Sequence, residues 1–254
     1  MLLDHIGRVI QRHKVAVLQF SGGKDSLACL WLLEPFWPHV IVAWGNTGDA
    51  FPETRDLMEQ VRAMVPNFHE VKSDVRKQQG RYGFPVDVLP VRNHPDVMHL
   101  LHPHPRPKLQ SCVACCNDNL WQPMQAAMRE LGATLIIRGQ RQAEVQRSPV
   151  KSGQVRDGVE YLFPLEDWDS AEVRGYVADK PLGLPDNYDD MDTGLDCMHC
   201  TGHLFENIGK RRYMVKRHPE AYAEVSRRLD VIAGEVDRDM TFLHQARRAG
   251  EPVQ

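Results

Sequence analysis

The feature that most constrains this chain is a glycine-containing loop between an apolar segment and a helical one. The loop reads Ser21-Gly22-Gly23-Lys24-Asp25-Ser26, after the apolar residues 14–20 and before the apolar residues 26–33. Adjacent glycines let the backbone turn tightly and approach a ligand without a Cβ in the way. N–H groups at a helix start attract anions, and the serine hydroxyls and the lysine add donors and positive charge. The pattern favours a phosphate-binding loop over a plain Gly-Gly turn, although it is not a Walker A loop.

Apolar runs alternate with helical patterns along most of the chain, which predicts an α/β fold. The strands predicted from these runs are residues 14–20, 39–44, 68–71 and 134–138. The predicted helices are residues 26–33, 52–65, 122–131 and 170–178, the last with Ser170 as its N-cap. This order is typical of a doubly wound, mostly parallel sheet with helices on both faces. Ligands of such sheets bind where the strands end, so the loop after the first strand is well placed.

The remaining segments predict how the chain is organised around this sheet. Residues 79–109 are rich in proline and histidine and are interpreted as a long surface loop, and residues 181–193 as irregular. From residue 202 to 248 the pattern is helical and charged. We therefore expect a nucleotide-binding domain over residues 1–200 and a helical C-terminal extension over 201–254. The basic residues 210–212 and 216–218 are interpreted as a solvated helix face rather than a nucleic-acid contact.

Charge and cysteine content limit the function classes. The formal net charge of -3 gives no general attraction to nucleic acid or to a membrane, and no long apolar run predicts a membrane span. We expect a cytoplasmic protein. Five of the six cysteines fall in two clusters, which in that compartment indicate metal or redox chemistry before disulfides. The sixth, Cys29, lies in an apolar helical stretch and is predicted to be a core residue.

The loop resembles the signature of the PP-loop ATP pyrophosphatases, and three further segments resemble the phosphoadenylylsulfate (PAPS) reductase branch of that superfamily. These segments are Asn46-Thr47-Gly48 with Pro52-Glu53-Thr54, Arg138-Gly139-Gln140-Arg141 with Arg147-Ser148, and Phe163-Pro164-Leu165-Glu166-Asp167-Trp168. The resemblance covers about residues 14 to 200. It implies a site for ATP or a related adenine nucleotide, with Mg²⁺ bridging phosphate oxygens, and cleavage at the α-phosphate with release of pyrophosphate.

The same resemblance assigns residues to the site. Lys24, Asp25 and Arg141 are the expected catalytic residues. The expected nucleotide-binding residues are Ser21, Gly22, Gly23, Lys24, Asp25, Ser26, Asn46, Thr47, Gly48, Gly139, Arg141 and Arg147. Arginine suits this role because its planar guanidinium pairs with phosphate or sulfate oxygens through two parallel hydrogen bonds.

The clustered cysteines resemble a second signature. Cys115 and Cys116, followed by Cys197 and Cys200 as C-x-x-C, are similar to the [4Fe–4S] ligands of assimilatory adenylylsulfate (APS) reductases. An alternative set with Cys112 replacing Cys116 gives two C-x-x-C knuckles, which would suit tetrahedral zinc. His199, between the last two cysteines, is expected to make local hydrogen bonds rather than to bind metal.

The sequence departs from the reductase pattern in ways that leave three hypotheses open. Asn119 and Leu120 stand where that family has an Arg-Lys pair, and no cysteine follows Cys200 to act as the catalytic thiol. The first hypothesis is therefore an ATP-cleaving enzyme that supports sulfur transfer, with a sulfur donor such as a cysteine desulfurase and a nucleic-acid acceptor as partners. The second is a sulfonucleotide reductase that takes its thiol from Cys112 or from a partner. The third is a non-catalytic nucleotide- and cluster-binding subunit.

Overall fold

The computed structural model describes residues 2–87, 107–143, 149–206 and 208–249. Its strands are β1 (Ala16–Gln19), β2 (Val40–Asn46), β3 (Phe68–Lys72), β4 (Phe84–Val86), β5 (Leu109–Ser111), β6 (Leu135–Ile137), β7 (Val155–Arg156) and β8 (Val159–Leu162). Its α-helices are α1 (Leu2–Gln11), α2 (Lys24–Leu32), α3 (Pro52–Met64), α4 (Val75–Tyr82), α5 (Cys112–Cys116), α6 (Gln122–Glu130), α7 (Ser170–Ala178), α8 (Ile208–Arg217) and α9 (Pro219–Ala249). Short 3₁₀ segments span Glu34–His39 and Asp186–Asp189, and a π-helical turn spans Asn117–Trp121.

Six strands form one sheet in the order β3-β2-β1-β6-β8-β7. The first five run parallel, and β7 pairs antiparallel with β8 at the edge. This confirms the predicted α/β class with a mostly parallel, doubly wound sheet. Leu18 of β1 pairs with Val42 on one side and with Ile137 on the other, so the winding direction reverses between β1 and β6. The loops that follow β1 and β6 meet at that reversal, which is where such sheets bind ligands.

The sheet interior is apolar, as strands covered on both faces require. Leu18, Val42, Leu135 and Ile137 are fully buried, and residues 27–33 of α2 and its C-terminus are buried on every face. Cys29 lies among them with no exposed surface, which confirms the prediction of a core cysteine. Burial raises the pKa of its thiol far above the ordinary value, so Cys29 stays protonated and unreactive.

The last two helices pack against the end of β2 through a separate apolar cluster. Phe51 is fully buried there against Tyr213 and Met214 of α8, with Met191 and Val225 completing the cluster. Further along α9, Ile232 packs against Val86 and Leu109, and every residue from Met240 to the end of the helix is exposed. Among the residues that the model covers, no helix has both the length and the apolar character needed to cross a membrane.

Several local predictions were wrong, each for an identifiable reason. The predicted surface loop over residues 79–109 in fact contains the end of α4, the strand β4 and the start of β5, because β4 and β5 pair with each other. The rest of that loop, including its histidines, lies outside the described residues. The N-cap of α7 is Asp169, not Ser170, because Asp169 and Glu172 form a reciprocal capping box. The basic face of α8 is not wholly solvated, because Lys210 is only 2% exposed.

Candidate nucleotide and cysteine sites

The Ser21–Ser26 loop lies at the reversal point of the sheet and is held in shape by its own hydroxyls. The Ser26 hydroxyl donates to the Gly23 carbonyl at 2.9 Å and lies 3.3 Å from the Ser21 amide and 3.2 Å from the Ser21 hydroxyl. Gly22 has φ +81°, a conformation that suits glycine. Helix α2 begins at Lys24, two residues earlier than predicted, so its first turn presents backbone N–H groups next to the loop.

The three expected catalytic residues lie together: Lys24 and Asp25 belong to this loop, and Arg141 contacts Asp25. The Lys24 Nζ donates to Asp25 Oδ2 at 2.7 Å, and the Arg141 Nε donates to Asp25 Oδ1 at 2.6 Å. Lys24 and Arg141 are both buried, with 3% and 9% exposure. Two cationic side chains therefore share one carboxylate at a helix N-terminus, an arrangement that an arriving phosphate could enter by exchanging partners with Asp25.

Gly139 allows the loop after β6 to touch the phosphate loop. A Cβ at Gly139 would lie 2.6 Å from the Asp25 carbonyl carbon and oxygen and 2.9 Å from the Ser26 amide nitrogen. Backbone here packs directly on backbone, so no side chain can be accommodated without separating the two loops. Gly139 therefore lies against the Ser21–Ser26 loop, and its predicted contact with a nucleotide stays a prediction.

Arg138 and Arg147 are the other two arginines of the segments that resemble the family. Arg138 donates from Nε to Gln19 Oε1 at 2.6 Å and stacks over the Tyr161 ring, and burial lowers the pKa of its guanidinium. It therefore links the end of β6 to its two neighbouring strands, β1 and β8. Arg147, expected to bind phosphate, lies outside the described residues.

The Asn46-Thr47-Gly48 segment ends β2 but makes its side-chain contacts elsewhere. Asn46 donates from Nδ2 to Glu70 Oε1 of β3 at 2.7 Å and accepts from the Gly48 amide at 2.9 Å. The Thr47 hydroxyl lies 3.1 Å from Cys197 Sγ. In the described part of the chain, this segment therefore connects the end of β2 to β3 and to the cysteines. Its predicted contact with a nucleotide stays a prediction.

The two cysteine clusters converge next to Thr47. Cys112, Cys115 and Cys116 share one turn of α5, while the strand-like bridge between Ala50 and Cys197 fixes the C-x-x-C segment against the end of β2. Burial raises the pKa of Cys115 to about 11, with Cys200 as the next cause. Burial likewise raises the pKa of Cys197 to about 12, and Thr47 opposes that shift through its hydrogen bond.

Cys116 lies within electrostatic range of three other clustered cysteines. Burial raises its pKa far above the ordinary value, and the charges of Cys200, Cys115 and Cys197 follow as causes in that order. Thiolates so close to one another repel, and such repulsion is relieved when a cation binds between them. The four predicted ligands are thus brought into mutual electrostatic range from opposite halves of the sequence.

The residues present fit a thiolate-held metal group in donor type. All five clustered cysteines are free thiols, and thiolate is the ligand that both iron–sulfur clusters and structural zinc prefer. Over the ranges that the model describes, however, no three cysteine, histidine or acidic side chains stand in the arrangement of a closed metal site. Cys112 lies on the Cys200 side of the group, where Gly202 packs so tightly that a Cβ on it would be 2.5 Å from Cys112 Cβ.

A charged network holds the C-x-x-C segment in place. The Asp49 carboxylate accepts from the His199 amide at 3.0 Å and lies 2.8 Å from His199 Nδ1, and Arg228 of α9 donates to the His199 carbonyl at 2.8 Å. Burial would raise the pKa of Asp49, but the hydrogen bonds and charge of His199 and the charge of Arg76 outweigh it and hold the pKa below its usual value. His199 makes hydrogen bonds as predicted, but the prediction that they are local was wrong, because its partners Asp49 and Arg228 are distant in the sequence.

Sequence reasoning missed two residues of these sites. The Tyr188 hydroxyl accepts a hydrogen bond from the Lys24 amide at 2.8 Å, and the Lys210 Nζ donates to the Cys197 carbonyl at 2.6 Å. Tyr188 belongs to a segment that we predicted to be irregular, and Lys210 to a patch that we predicted to be solvated. No periodicity or motif distinguishes either residue, since both reach their sites only through the packing of distant elements.

Comparisons with known proteins agree with this architecture. Residues 15–203 match the family model described as the phosphoadenosine phosphosulfate reductase domain. A protein from Proteus mirabilis named phosphoadenosine 5'-phosphosulfate reductase is 24% identical to this chain over 66% of its length. A protein of the same name from Alteromonas mediterranea is 22% identical over 77% of this chain. The aligned part spans 63% of the Proteus mirabilis protein and 73% of the other.

A solved structure shares the fold. The phosphate complex of phosphoadenylyl-sulfate (PAPS) reductase from Candida auris aligns with a TM-score of 0.50 and 21% identity, over 72% of this chain and 82% of that one. The family model covers most of this chain, including the Ser21–Ser26 loop, the loop after β6 and all five clustered cysteines. The chain therefore belongs to the phosphoadenosine phosphosulfate reductase family.

Proposed function

We propose that this protein is a sulfonucleotide reductase that binds an adenine nucleotide at the Ser21–Ser26 loop and releases sulfite from it. The relatives named as reductases support this function over the ATP-cleaving hypothesis that the sequence placed first. The observation that carries the proposal is the 3.1 Å contact between Thr47 and Cys197. It brings the thiols to the end of β2, the strand next to β1 and its phosphate loop.

The chemistry requires two thiols in sequence. A thiolate attacks the sulfonate sulfur, an S–S bond forms, and the bond from that sulfur to the phosphate oxygen breaks, so the nucleotide leaves as its phosphate. A second thiolate, from an external dithiol protein, then attacks the cysteine sulfur, sulfite departs with the electron pair, and a mixed disulfide remains. The other thiol of the dithiol protein resolves that disulfide and regenerates the cysteine. Lys24 and Arg141 would stabilise the charge that develops on the leaving phosphate.

We assign the first attack to Cys112. If Cys115, Cys116, Cys197 and Cys200 bind an iron–sulfur cluster, Cys112 is the clustered thiol that remains, and Cys29 is buried in the core. A cluster held by those four residues would supply a redox-active group beside the nucleotide, whereas zinc would supply a fixed cross-link.

The ATP-cleaving hypothesis is retained as a second candidate because of one observation. Lys24 and Arg141 converge on Asp25 at a helix N-terminus, a grouping that also suits a triphosphate with Mg²⁺. In that case a sulfur-donor protein such as a cysteine desulfurase and a nucleic-acid acceptor would be the partners.

One assay separates the candidates. Protein purified without oxygen is incubated with APS or PAPS and thioredoxin, and in parallel with ATP and Mg²⁺, while sulfite and pyrophosphate are measured and iron, sulfide and zinc are assayed. We expect sulfite from one sulfonucleotide, lost in Cys112→Ser and retained in Cys29→Ser. Pyrophosphate release without sulfite would favour the second candidate, and tight nucleotide binding with neither product would favour a non-catalytic subunit.

A further inference from the structure

The segment from Asp186 to Gly194 covers the phosphate loop. Tyr188 is 7% exposed, and its hydroxyl oxygen is the acceptor for the Lys24 amide at 2.8 Å. A Cβ on Gly23 would lie 3.2 Å from that hydroxyl and 4.0 Å from the Gly194 Cα. The segment therefore lies directly on the loop, with one polar atom directed at its backbone.

The position of that atom identifies what it replaces. Lys24 is the first residue of α2, so its amide is one of the N–H groups that the helix cannot satisfy itself. Such amides are the donors that bind phosphate at a helix N-terminus. A neutral hydroxyl makes a weaker hydrogen bond with an amide than an anionic phosphate oxygen does. A phosphate that reaches the loop is therefore expected to displace the Tyr188 oxygen.

One set of contacts that holds Tyr188 extends from its buried ring to the protein surface. Arg174 lies over the Tyr188 ring at 5.3 Å and also donates to its carbonyl at 3.4 Å. The same arginine pairs with Asp192, whose side chain is 94% exposed. Exposed ion pairs of this kind contribute little stability, so Tyr188 can leave the loop at small cost on that side. Met191 of the same segment is 7% exposed and stays packed in the cluster around Phe51.

The segment also leads directly to the cysteines. Gly194 precedes Cys197 by three residues, and Cys197 is fixed to Ala50 and to Thr47 at the end of β2. A displacement of Tyr188 is therefore passed along a short stretch of backbone to the thiol site. Leu195 and Met198, on either side of Cys197, pack against the same apolar cluster as Met191, so packed side chains carry the shift to the thiol site.

We propose that the Tyr188 hydroxyl holds the place of a phosphate oxygen in the free protein, and that nucleotide binding displaces Tyr188 from the loop and thereby adjusts Cys197. This inference rests on the proposed nucleotide site but is independent of the reaction performed there. It assigns to Tyr188 a role in binding and in coupling the two sites, and it requires no contact between Tyr188 and the reacting atoms.

The test uses Tyr188→Phe, which removes the oxygen and keeps the ring. Affinities of the intact protein for PAPS and for ATP are measured by calorimetry, with Tyr176→Phe on the neighbouring helix α7 as the control. We expect Tyr188→Phe to bind the preferred nucleotide about two- to tenfold more tightly, because a competing hydrogen bond is lost, and Tyr176→Phe to match the wild type. Weaker binding would show that Tyr188 contacts the nucleotide directly, and unchanged binding would remove it from the site; either result overturns the inference.

Hydrogen exchange followed by mass spectrometry tests the coupling. Nucleotide should protect residues 21–26 and accelerate exchange over residues 186–197 in the wild type, while Tyr188→Phe should exchange fast over 186–197 without nucleotide. Protection of the loop with no change over 186–197 would overturn the coupling alone. If neither wild type nor variant binds either nucleotide, the proposed function and this inference both fail.

Discussion

At the residue scale, the site depends on positions at which an added side-chain atom would disrupt packing or a lost charge would change the electrostatics of the thiols. Gly139 is such a position, because the loop after β6 rests on the backbone of Asp25 and Ser26. Lys210 is another, because a lysine that is 2% exposed has its ammonium next to the Cys197 carbonyl and near several thiols. Burying an ammonium is costly unless anions compensate it. Cys197 and Cys200, whose ionised forms the Lys210 charge favours, would supply that compensation as metal-bound thiolates.

Gly139→Ala is expected to weaken nucleotide binding and to destabilise the fold by about 1–3 kcal/mol, the usual cost of forcing extra volume into a packed site. Urea unfolding and calorimetry with nucleotide measure the two effects. The control is Gly175→Ala in α7, where an added Cβ meets nothing within 4 Å. That change should stabilise the helix by about 0.5–1 kcal/mol. Equal behaviour of the two variants would contradict the backbone contact described here.

Lys210→Met is expected to lower metal retention, since it removes the cation nearest to Cys197. Changes to residues that support metal ligands typically reduce affinity by about 10- to 100-fold. Metal content per chain and visible absorbance, followed during dialysis against a chelator, provide the measurement. Lys216→Met removes a lysine from the same helix that is exposed and pairs with Asp190, so it should retain metal as the wild type does. Loss of metal in both variants would assign the effect to the general charge of α8.

At the element scale, helix α9 supports the cysteine site through Arg228. Its guanidinium donates to Gln79 Oε1 at 3.0 Å and to the His199 carbonyl at 2.8 Å, and it lies over the Phe84 ring. One side chain thus connects the C-terminal helix to α4, to β4 and to the C-x-x-C segment. Residues 240–249, the last third of α9, are exposed.

Arg228→Met is expected to destabilise the protein by about 1–3 kcal/mol, because the Gln79 side chain and the His199 carbonyl would lose a buried donor. Urea unfolding measures this. The neighbouring Arg227 is exposed and bonds only to a carbonyl of its own helix among the contacts found here, so Arg227→Met should change stability by less than about 0.5 kcal/mol. A loss in Arg227→Met as large as in Arg228→Met would show that the effect is one of helix propensity.

At the scale of the whole molecule, Glu53 ties the sheet side of the fold to the C-terminal helices. Its carboxylate accepts from the Tyr213 hydroxyl at 2.8 Å and lies 2.8 Å from His218 Nε2. Burial acts to raise the pKa of Glu53, but hydrogen bonds from its own backbone, Tyr213 and His218 outweigh it and hold the pKa below the usual 4.5. The same contact, after burial, raises the pKa of Tyr213.

This shift sets a direction for the pH dependence of stability. A carboxyl whose pKa is depressed in the folded state stabilises the fold above its unfolded pKa, and that contribution is lost as the pH falls through the folded pKa. Thermal unfolding of Glu53→Gln between pH 3 and 7 should therefore show a shallower loss of stability below about pH 5. Glu59→Gln, at an exposed site on the same helix, should follow the wild-type curve. A wild-type slope in Glu53→Gln would rule out this carboxyl as a contributor.

The sequence by itself determined the α/β class, the position of the Ser21–Ser26 loop between a strand and a helix, and the core position of Cys29. Each depends on short-range patterns: apolar periodicity, or adjacent glycines after a strand. The same reasoning placed Lys24 and Asp25 in the loop, and the packing of Arg141 against Asp25 is in keeping with the family segment in which it was found.

Only the tertiary structure decided which distant residues complete the two sites. Tyr188 reaches Lys24 across 164 residues of sequence, and Thr47 reaches Cys197 across 150. Lys210 is buried because Phe51 and α8 pack together, although its basic neighbours made a solvated face the natural expectation. Such contacts depend on how sheet and helices pack in three dimensions, and a linear pattern carries no record of that packing because side-chain burial is settled by partners far away in the chain.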